Sequence, residues 1–394
     1  MNRLIGTTAR GIRTPIVKQG DDLVNIVVDS LLSAVTSESI VLKDKDVIGI
    51  TESLVARAQG NYASVDSIGK DVANKFPGEI GVVFPILSRN RFSIVLKGIA
   101  KSNRKIHLLL SYPSDEVGNH LMDIDKMDEL KINPYSDVLT EEDYRRLFGK
   151  NVMHPFTDID YVQMYRDIIG ENVSIYFAND PRTILNYTKD VLVANIHDRV
   201  RTKRLIHDAG ANIVLGLDDI LTTSVDGSGY NDEYGLLGSN LSSDDEVKLF
   251  PRNSNYYVNE IQKILLDKTG KKIEVMVYGD GAFKDPVGKI WELADPIVSP
   301  GYTDGLIGLP NELKFKYVAD NELQDLDGEE AIAAMKNRIS SKEANLTGQA
   351  ASLGTTPRRI TDLLGSLCDL ISGSGDKGTP VILIQGYFDN YATE

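Results

Sequence analysis

Between residues 172 and 219 the chain alternates short Val- and Ile-rich runs with polar, helical stretches. No other feature limits its possible folds as much. NVSIYFAND (172–180), DVLVANIHD (190–198) and ANIVLGLDD (211–219) are strand-sized, and each closes on Asp. RTILNYT and RVRTKRLIHDAG separate them, the second stopping at Gly210. Strand–helix–strand order builds a parallel sheet, because parallel neighbours need a crossover long enough to hold a helix. Ligands of such sheets sit at the carboxyl ends of the strands. Asp180, His197, Asp198, Asp218 and Asp219 fall there.

The flanks read differently. GDDLVNIVVDSLLSAV (20–35) spaces Leu23, Ile26, Val27, Leu31, Leu32 and Val35 helically, with Asp21 and Asp22 at its start, where carboxylates suit a helix. DVIGIT (46–51) is an apolar run before a helical stretch that ends near Gly60. GEIGVVFPIL (78–87), RFSIVLKGIA (91–100) and KIHLLLSYP (105–113) read as three successive strands. Residues 120–172 are polar and helical, punctuated by Pro134 and Pro155. DGSGYNDEYGLLGSNLSSDD (226–245) reads as a long loop or linker. YYVNEIQKILLDKTG (256–270) predicts a helix and KIEVMVYGDG (272–281) a strand with a tight turn. RRITDLLGSLCDLISG (358–373) predicts an amphipathic helix, and GTPVILIQG (378–386) a closing buried strand.

Composition excludes several functions. With 43 Lys and Arg against 57 Asp and Glu, the 394-residue chain carries a net charge of −14. Nucleic acids and anionic membranes both require a basic surface, so neither is an expected partner. A small anion remains open, since a few local cations and backbone N–H groups hold one. No apolar run approaches the ~20 residues needed to cross a bilayer. The opening MNRLIGTTARGIRTP holds no signal-peptide core. The expectation is a cytoplasmic protein. Cys368 has no second cysteine to pair with and lies in the apolar run LLGSLCDLI, so it reads as a core residue.

Chemistry-bearing patterns are few. Asp280 stands between two glycines on the turn after an apolar strand, where it either approaches a metal or phosphate or simply makes the turn. DGSG (226–229) does not match a P-loop. His107, His120, His154, His197 and His207 show no metal-ligand spacing. Lys97, Lys101, Arg104 and Lys105 surround a turn, as a solvated hairpin tip or an anion cradle.

Several pieces, in order, resemble the gamma-glutamyl ligases of the deazaflavin coenzyme F-420. RGIRTPIVKQGDDL (10–23) is similar to that family's opening Gly-hydrophobic-Pro-Glu segment followed by Gly-Asp-Asp-Leu. DVIGITESLVARAQG (46–60) resembles its strand plus Thr-x-x-hydrophobic-Val-Ser-Lys-Ala-Glu-Gly. RFSIVLKGIAKSN (91–103) resembles its Phe…Gly-Val-Asp-x-Ser-Asn segment. EVMVYGDGAFKDP (274–286) resembles its Val-Val-Ser-Asp-Thr-Phe-Gly-Arg-Pro, and GTPVILIQG its closing strand.

The resemblance implies a two-lobed α+β fold with an inserted small α/β unit. Residues 1–122 would form the first lobe, 123–255 the insertion and 256–394 the part completing the fold. It implies a homodimer that uses GTP or ATP with Mg2+ or Mn2+ to join L-glutamate to a small-molecule carboxylate through an acyl phosphate. Gly11, Ile12, Arg13, Thr14, Glu52, Ser53, Arg57 and Asn103 would lie along the nucleotide. Asp280 and Arg57 would be catalytic, and Asp280 with Asp285 would hold metal. The chain departs from the pattern at three places: Ala100 replaces a metal-binding aspartate, Gly281 or Ala282 a hydroxyl residue, and Arg13-Thr14 the opening Pro-Glu. Asp115, Asp198, Asp285, Glu292, Asp295 and Asp304 are candidate replacement ligands. A folate-like acceptor, a non-catalytic nucleotide-binding homologue, and a separate activity of the middle unit through His197, Asp198 and Asp219 are the alternatives.

Overall fold

The computed structural model describes residues 4–281, 294–355, 358–372 and 376–393. The fold is α+β, organised on two sheets whose strand ends meet. The first sheet combines both ends of the chain. Its strands are β1 (Thr8–Ile12), β2 (Val47–Thr51), β12 (Glu274–Tyr278), β13 (Gly301–Tyr302) and β14 (Val381–Gln385), in the order β1-β14-β2-β12-β13. Only β2 and β12 run parallel, with Thr51 opposite Tyr278. Helices α1 (Leu23–Ser37) and α9 (Ser254–Thr269) cover one face, packing Val27, Leu31, Val258 and Ile261 against Ile48, Ile50 and Val275. Helix α12 (Ile360–Ser372) covers the other. Its Cys368 is fully buried, as its apolar setting predicts, and sits on Gly49, where any Cβ would come 2.4 Å from the Cys368 Sγ.

The second sheet has six strands in the order β6-β7-β5-β4-β8-β9. These are β4 (Ile80–Val83), β5 (Ile106–Leu110), β6 (Leu139–Thr140), β7 (Val173–Phe177), β8 (Asp190–Val193) and β9 (Ile213–Gly216). All are parallel except the short edge strand β6. The three strands read from residues 172–219 are therefore β7, β8 and β9, joined in parallel as their spacing predicts. β4 and β5, from before residue 122, lie in the same sheet as β7–β9 from after it. The chain leaves β4 toward β5 on one side, whereas β8 and β9 build outward on the other. Such a reversal opens a crevice at the carboxyl ends of β4 and β8.

Residues 91–100 correct the sequence reading: they form helix α4 (Phe92–Ala100), not a strand, and supply the β4-to-β5 crossover. Phe92, Ser93, Ile94, Val95, Leu96, Gly98 and Ile99 are all buried. A helix buried on every side shows no 3.6-residue polarity, so its apolar run looks like a core strand. Gly98 lets it press onto α3 (Val65–Lys75), since a Cβ there would lie 2.7 Å from the Ile68 Cβ.

Helices α5 (Ile124–Glu129), α6 (Glu141–Phe148), α7 (Tyr161–Ile169) and α8 (Arg199–Asp208) complete the second layer. Residues 226–245 are a packed coil rather than a linker: Leu236 and Leu237 are each 1% exposed in the core. This coil runs into β10 (Asn240–Ser243), which pairs with β11 (Glu246–Lys248) and, through it, β3 (Tyr62–Ser64). Helices α10 (Phe315–Asn321) and α11 (Gly328–Ser340) lie between β13 and α12. Among the described residues no helix is long and apolar enough to cross a membrane.

Candidate functional site

The carboxyl ends of both sheets open into one cavity of about 730 Å³. Because β2 and β12 are parallel and in register, the residues that follow them leave at one level. Helix α2 (Glu52–Gln59) starts there without a linker, and Gly279-Asp280 turns off β12 beside it. The second sheet contributes the loop after β4, from Ile86 to Arg91. Thr14, Thr379 and Pro380 close one side.

Glu52 opens α2 and is 7% exposed. The Thr51 hydroxyl donates to its Oε2 at 2.8 Å. Burial pushes this carboxyl above its ordinary range, Asp295 adds to the shift, and Lys248 opposes it. Lys248, on β11, donates to the Ser53 hydroxyl. Burial lowers the Lys248 ammonium's pKa against the pull of Glu52. Arg57, at the last turn of α2, is exposed and lines the cavity.

Asp280 is held from several sides. Its Oδ2 accepts from Arg91 Nη2 at 2.9 Å and from the Ala294 N–H at 3.2 Å. Arg91 Nη1 donates to Asp295 Oδ1 at 2.7 Å, and the Asp280 N–H donates to Asp295 Oδ2 at 2.8 Å. Asp369, on α12, accepts the Gly281 N–H at 2.9 Å. Burial, and next the charge of Asp295, drive the Asp280 carboxyl well upward against the pull of Arg91. Burial likewise raises Asp369. Burial works against the Arg91 charge, but Asp295, Asp280 and Glu52 outweigh it, so the guanidinium is held firmly protonated.

This donor set does not fit a divalent ion. Arg91 and backbone N–H groups already engage the Asp280–Asp295 pair. Among the described residues no group of three or more His, Cys, Asp or Glu is arranged to hold a metal. Asp285, Glu292 and Ala282 lie outside the described residues. Of the other candidate ligands, Asp304 follows β13 beside the amino end of β12, away from Asp280. Asp198 sits at the start of α8, where Glu116 accepts its N–H together with those of Ile196 and His197.

The structure brings Thr14, Glu52, Ser53, Arg57 and Asp280 together at the cavity. Ile12 instead turns into the core, and Gly11 and Arg13 are exposed outside the cavity lining. Asn103 follows α4 at the amino end of β5, opposite the cavity, and Ala100 ends that helix. A second Ser-Asn pair, Ser239-Asn240, is the one that reaches the site, with Asn240 in the cavity wall. Fitted there, the Gly-Val-Asp-x-Ser-Asn pattern starts at Gly235 and its aspartate falls on buried Leu237. Arg91, Lys248 and Asp369 carried no local sequence signal.

Other candidates resolve into structural roles. Lys97, Lys101 and Lys105 pair with Asp245, Asp66 and Glu79, so they form an ion-paired surface rather than an anion cradle. Asp218 and Asp219 are neutralised by Arg199 and Lys203. Asp115 anchors the cavity loop by accepting the N–H groups of Leu87, Val117 and Asn119 at 2.8–3.0 Å. Burial pushes Asp115 up to about 6, against those hydrogen bonds. Its folded pKa thus lies above the ordinary aspartate value of about 4. Over that interval the folded state binds the proton more tightly, so stability falls as pH rises from about 4 to about 6. Across this range stability measured by chemical denaturation should fall more steeply with rising pH in wild type than in Asp115→Asn. Parallel pH profiles would contradict the assignment.

No curated protein matches the chain. The model of one family, F420-0:Gamma-glutamyl ligase, matches residues 11–386, nearly its whole length. The resembling segments at 10–23, 46–60 and 274–280 meet at the cavity together with Arg91 from 91–103 and Thr379 and Pro380 from the closing segment, whose strand packs between the first two. The chain belongs to the F420-0:gamma-glutamyl ligase family.

Proposed function

We propose that this chain uses GTP or ATP to join L-glutamate to the carboxylate of a small molecule. The acceptor carboxylate oxygen attacks the terminal phosphorus, and the bond to the nucleoside diphosphate breaks. The glutamate nitrogen then attacks the acyl carbon, a C–N bond forms, and inorganic phosphate leaves. The amine's proton passes to a base, and Glu52 is the candidate: it lines the cavity, and burial raises its carboxyl above the ordinary range. Arg57, Arg89 and Arg91 line the cavity as partners for phosphate oxygens. Any Mg2+ or Mn2+ would arrive with the nucleotide rather than on Asp280, and would supply charge neutralisation of its phosphates. The observation that carries this reading is the meeting of both sheets' carboxyl ends on a cavity holding these cations and acids.

The test supplies F420-0, L-glutamate and nucleotide. Phosphate release is expected only when all three are present. Glu52→Gln should slow that release by about 100-fold or more, the scale on which losing a general base acts. Release independent of glutamate would contradict the reading. A folate-like acid is the second acceptor to try. The capture of Asp280 by Arg91 favours one rival, a nucleotide-binding homologue without turnover. Calorimetry separates them: binding unchanged in EDTA, with no product, favours the rival.

A further inference from the structure

Two buried carboxylates side by side need a positive charge between them, since like charges at contact cannot both remain ionised. A hard divalent ion meets that need with oxygen ligands. A guanidinium meets it with a planar fork of N–H donors. Here Arg91 spans Asp280 and Asp295 at 2.9 and 2.7 Å. The three side chains are 17, 22 and 1% exposed, so solvent screens this contact little. The arginine is fixed from below, since its own N–H donates to the Ser88 hydroxyl at 3.0 Å as the chain enters α4. Its flank is apolar: Arg91, Phe92, Leu236, Leu237 and Ala294 line one small cavity, which offers contact to an aliphatic stem and no carboxylate to an ion.

We propose that Arg91 is the resident cation of this site, standing where a divalent ion would otherwise bridge Asp280 and Asp295. The free protein therefore carries no Mg2+ or Mn2+ on that pair, and deleting the Arg91 charge creates a divalent-ion site. The inference deepens the ligase reading and rests on it only for what the guanidinium faces, the incoming phosphates. A fixed guanidinium presents its charge without waiting for a metal to bind, and costs no reorganisation when an anion arrives.

The test is a Mn2+ titration of the nucleotide-free full chain, following the free-ion signal by electron paramagnetic resonance. Wild type and Arg91→Lys are expected to bind no ion dependent on Asp280. Arg91→Met should gain one Mn2+ bound at least roughly 100-fold more tightly than any background binding to wild type, the order expected when an unpaired buried charge regains a partner. The double variant Arg91→Met with Asp280→Asn should lose it. If Arg91→Met folds only with Mn2+ present, the bound ion is counted after refolding in Mn2+. Wild-type binding that Asp280→Asn abolishes would overturn the proposal, as would a folded Arg91→Met that binds no ion. The readout needs no turnover, so an inactive chain that follows this pattern contradicts the ligase reading and leaves the role of Arg91 standing.

Discussion

Asp280→Asn is expected to cut glutamate-dependent phosphate release at least about 100-fold, the scale on which losing one preorganised electrostatic partner acts. Asp280 is one of two carboxylates that aim Arg91 into the cavity. Without its charge, Asp295 alone fixes the guanidinium, and the fork loses its defined orientation. The asparagine amide keeps the size of the side chain and an oxygen for the Ala294 N–H. Folding should therefore survive, with the thermal midpoint shifted by no more than a few degrees. Steady-state rates together with a melting curve check both halves. A folded variant with full activity would remove Asp280 from the chemistry.

Gly279→Ala should destabilise the fold by about 3 kcal/mol, the order of cost for breaking up a buried ion pair. A Cβ at this position would lie 2.3 Å from Asp295 Oδ2. That oxygen also takes the Asp280 N–H, and its carboxylate is the less exposed partner of Arg91. One methyl group therefore expels Asp295 from under the turn and leaves a buried charge poorly paired. Urea unfolding reads the cost, and activity should fall at least about tenfold in parallel. A loss below about 0.5 kcal/mol, the range of an ordinary surface substitution, would show that Asp295 does not depend on the absent side chain.

These effects also explain which parts were legible in the sequence. β7, β8 and β9 were readable because Val- and Ile-rich runs alternate with polar helices whose ends carry Asp and Gly. Cys368 was readable because its neighbours are apolar at helical spacing. α4 was not, because burial all round erased its periodicity. Arg91 was invisible for a different reason. It lies 189 residues from Asp280 and 204 from Asp295, and no local pattern reports a contact between such distant positions. The pair Ser102-Asn103 matches the family's Ser-Asn in sequence but lies opposite the cavity, whereas Ser239-Asn240 reaches it. Only the packed coil before β10 distinguishes the two, by carrying Asn240 into the cavity wall. Asp280 was legible because it stands on the turn just beyond an apolar strand, whereas Glu52 and Arg57 came only through the family resemblance.

The central claim is that the acceptor carboxylate is activated as an acyl phosphate in the cavity between the two sheets. It is tested most directly with F420-0 whose carboxylate carries a heavy-oxygen label, incubated with L-glutamate and unlabelled nucleotide. Attack of that carboxylate on the terminal phosphorus predicts that one labelled oxygen leaves in the inorganic phosphate as the amide forms. Release of unlabelled phosphate would contradict it.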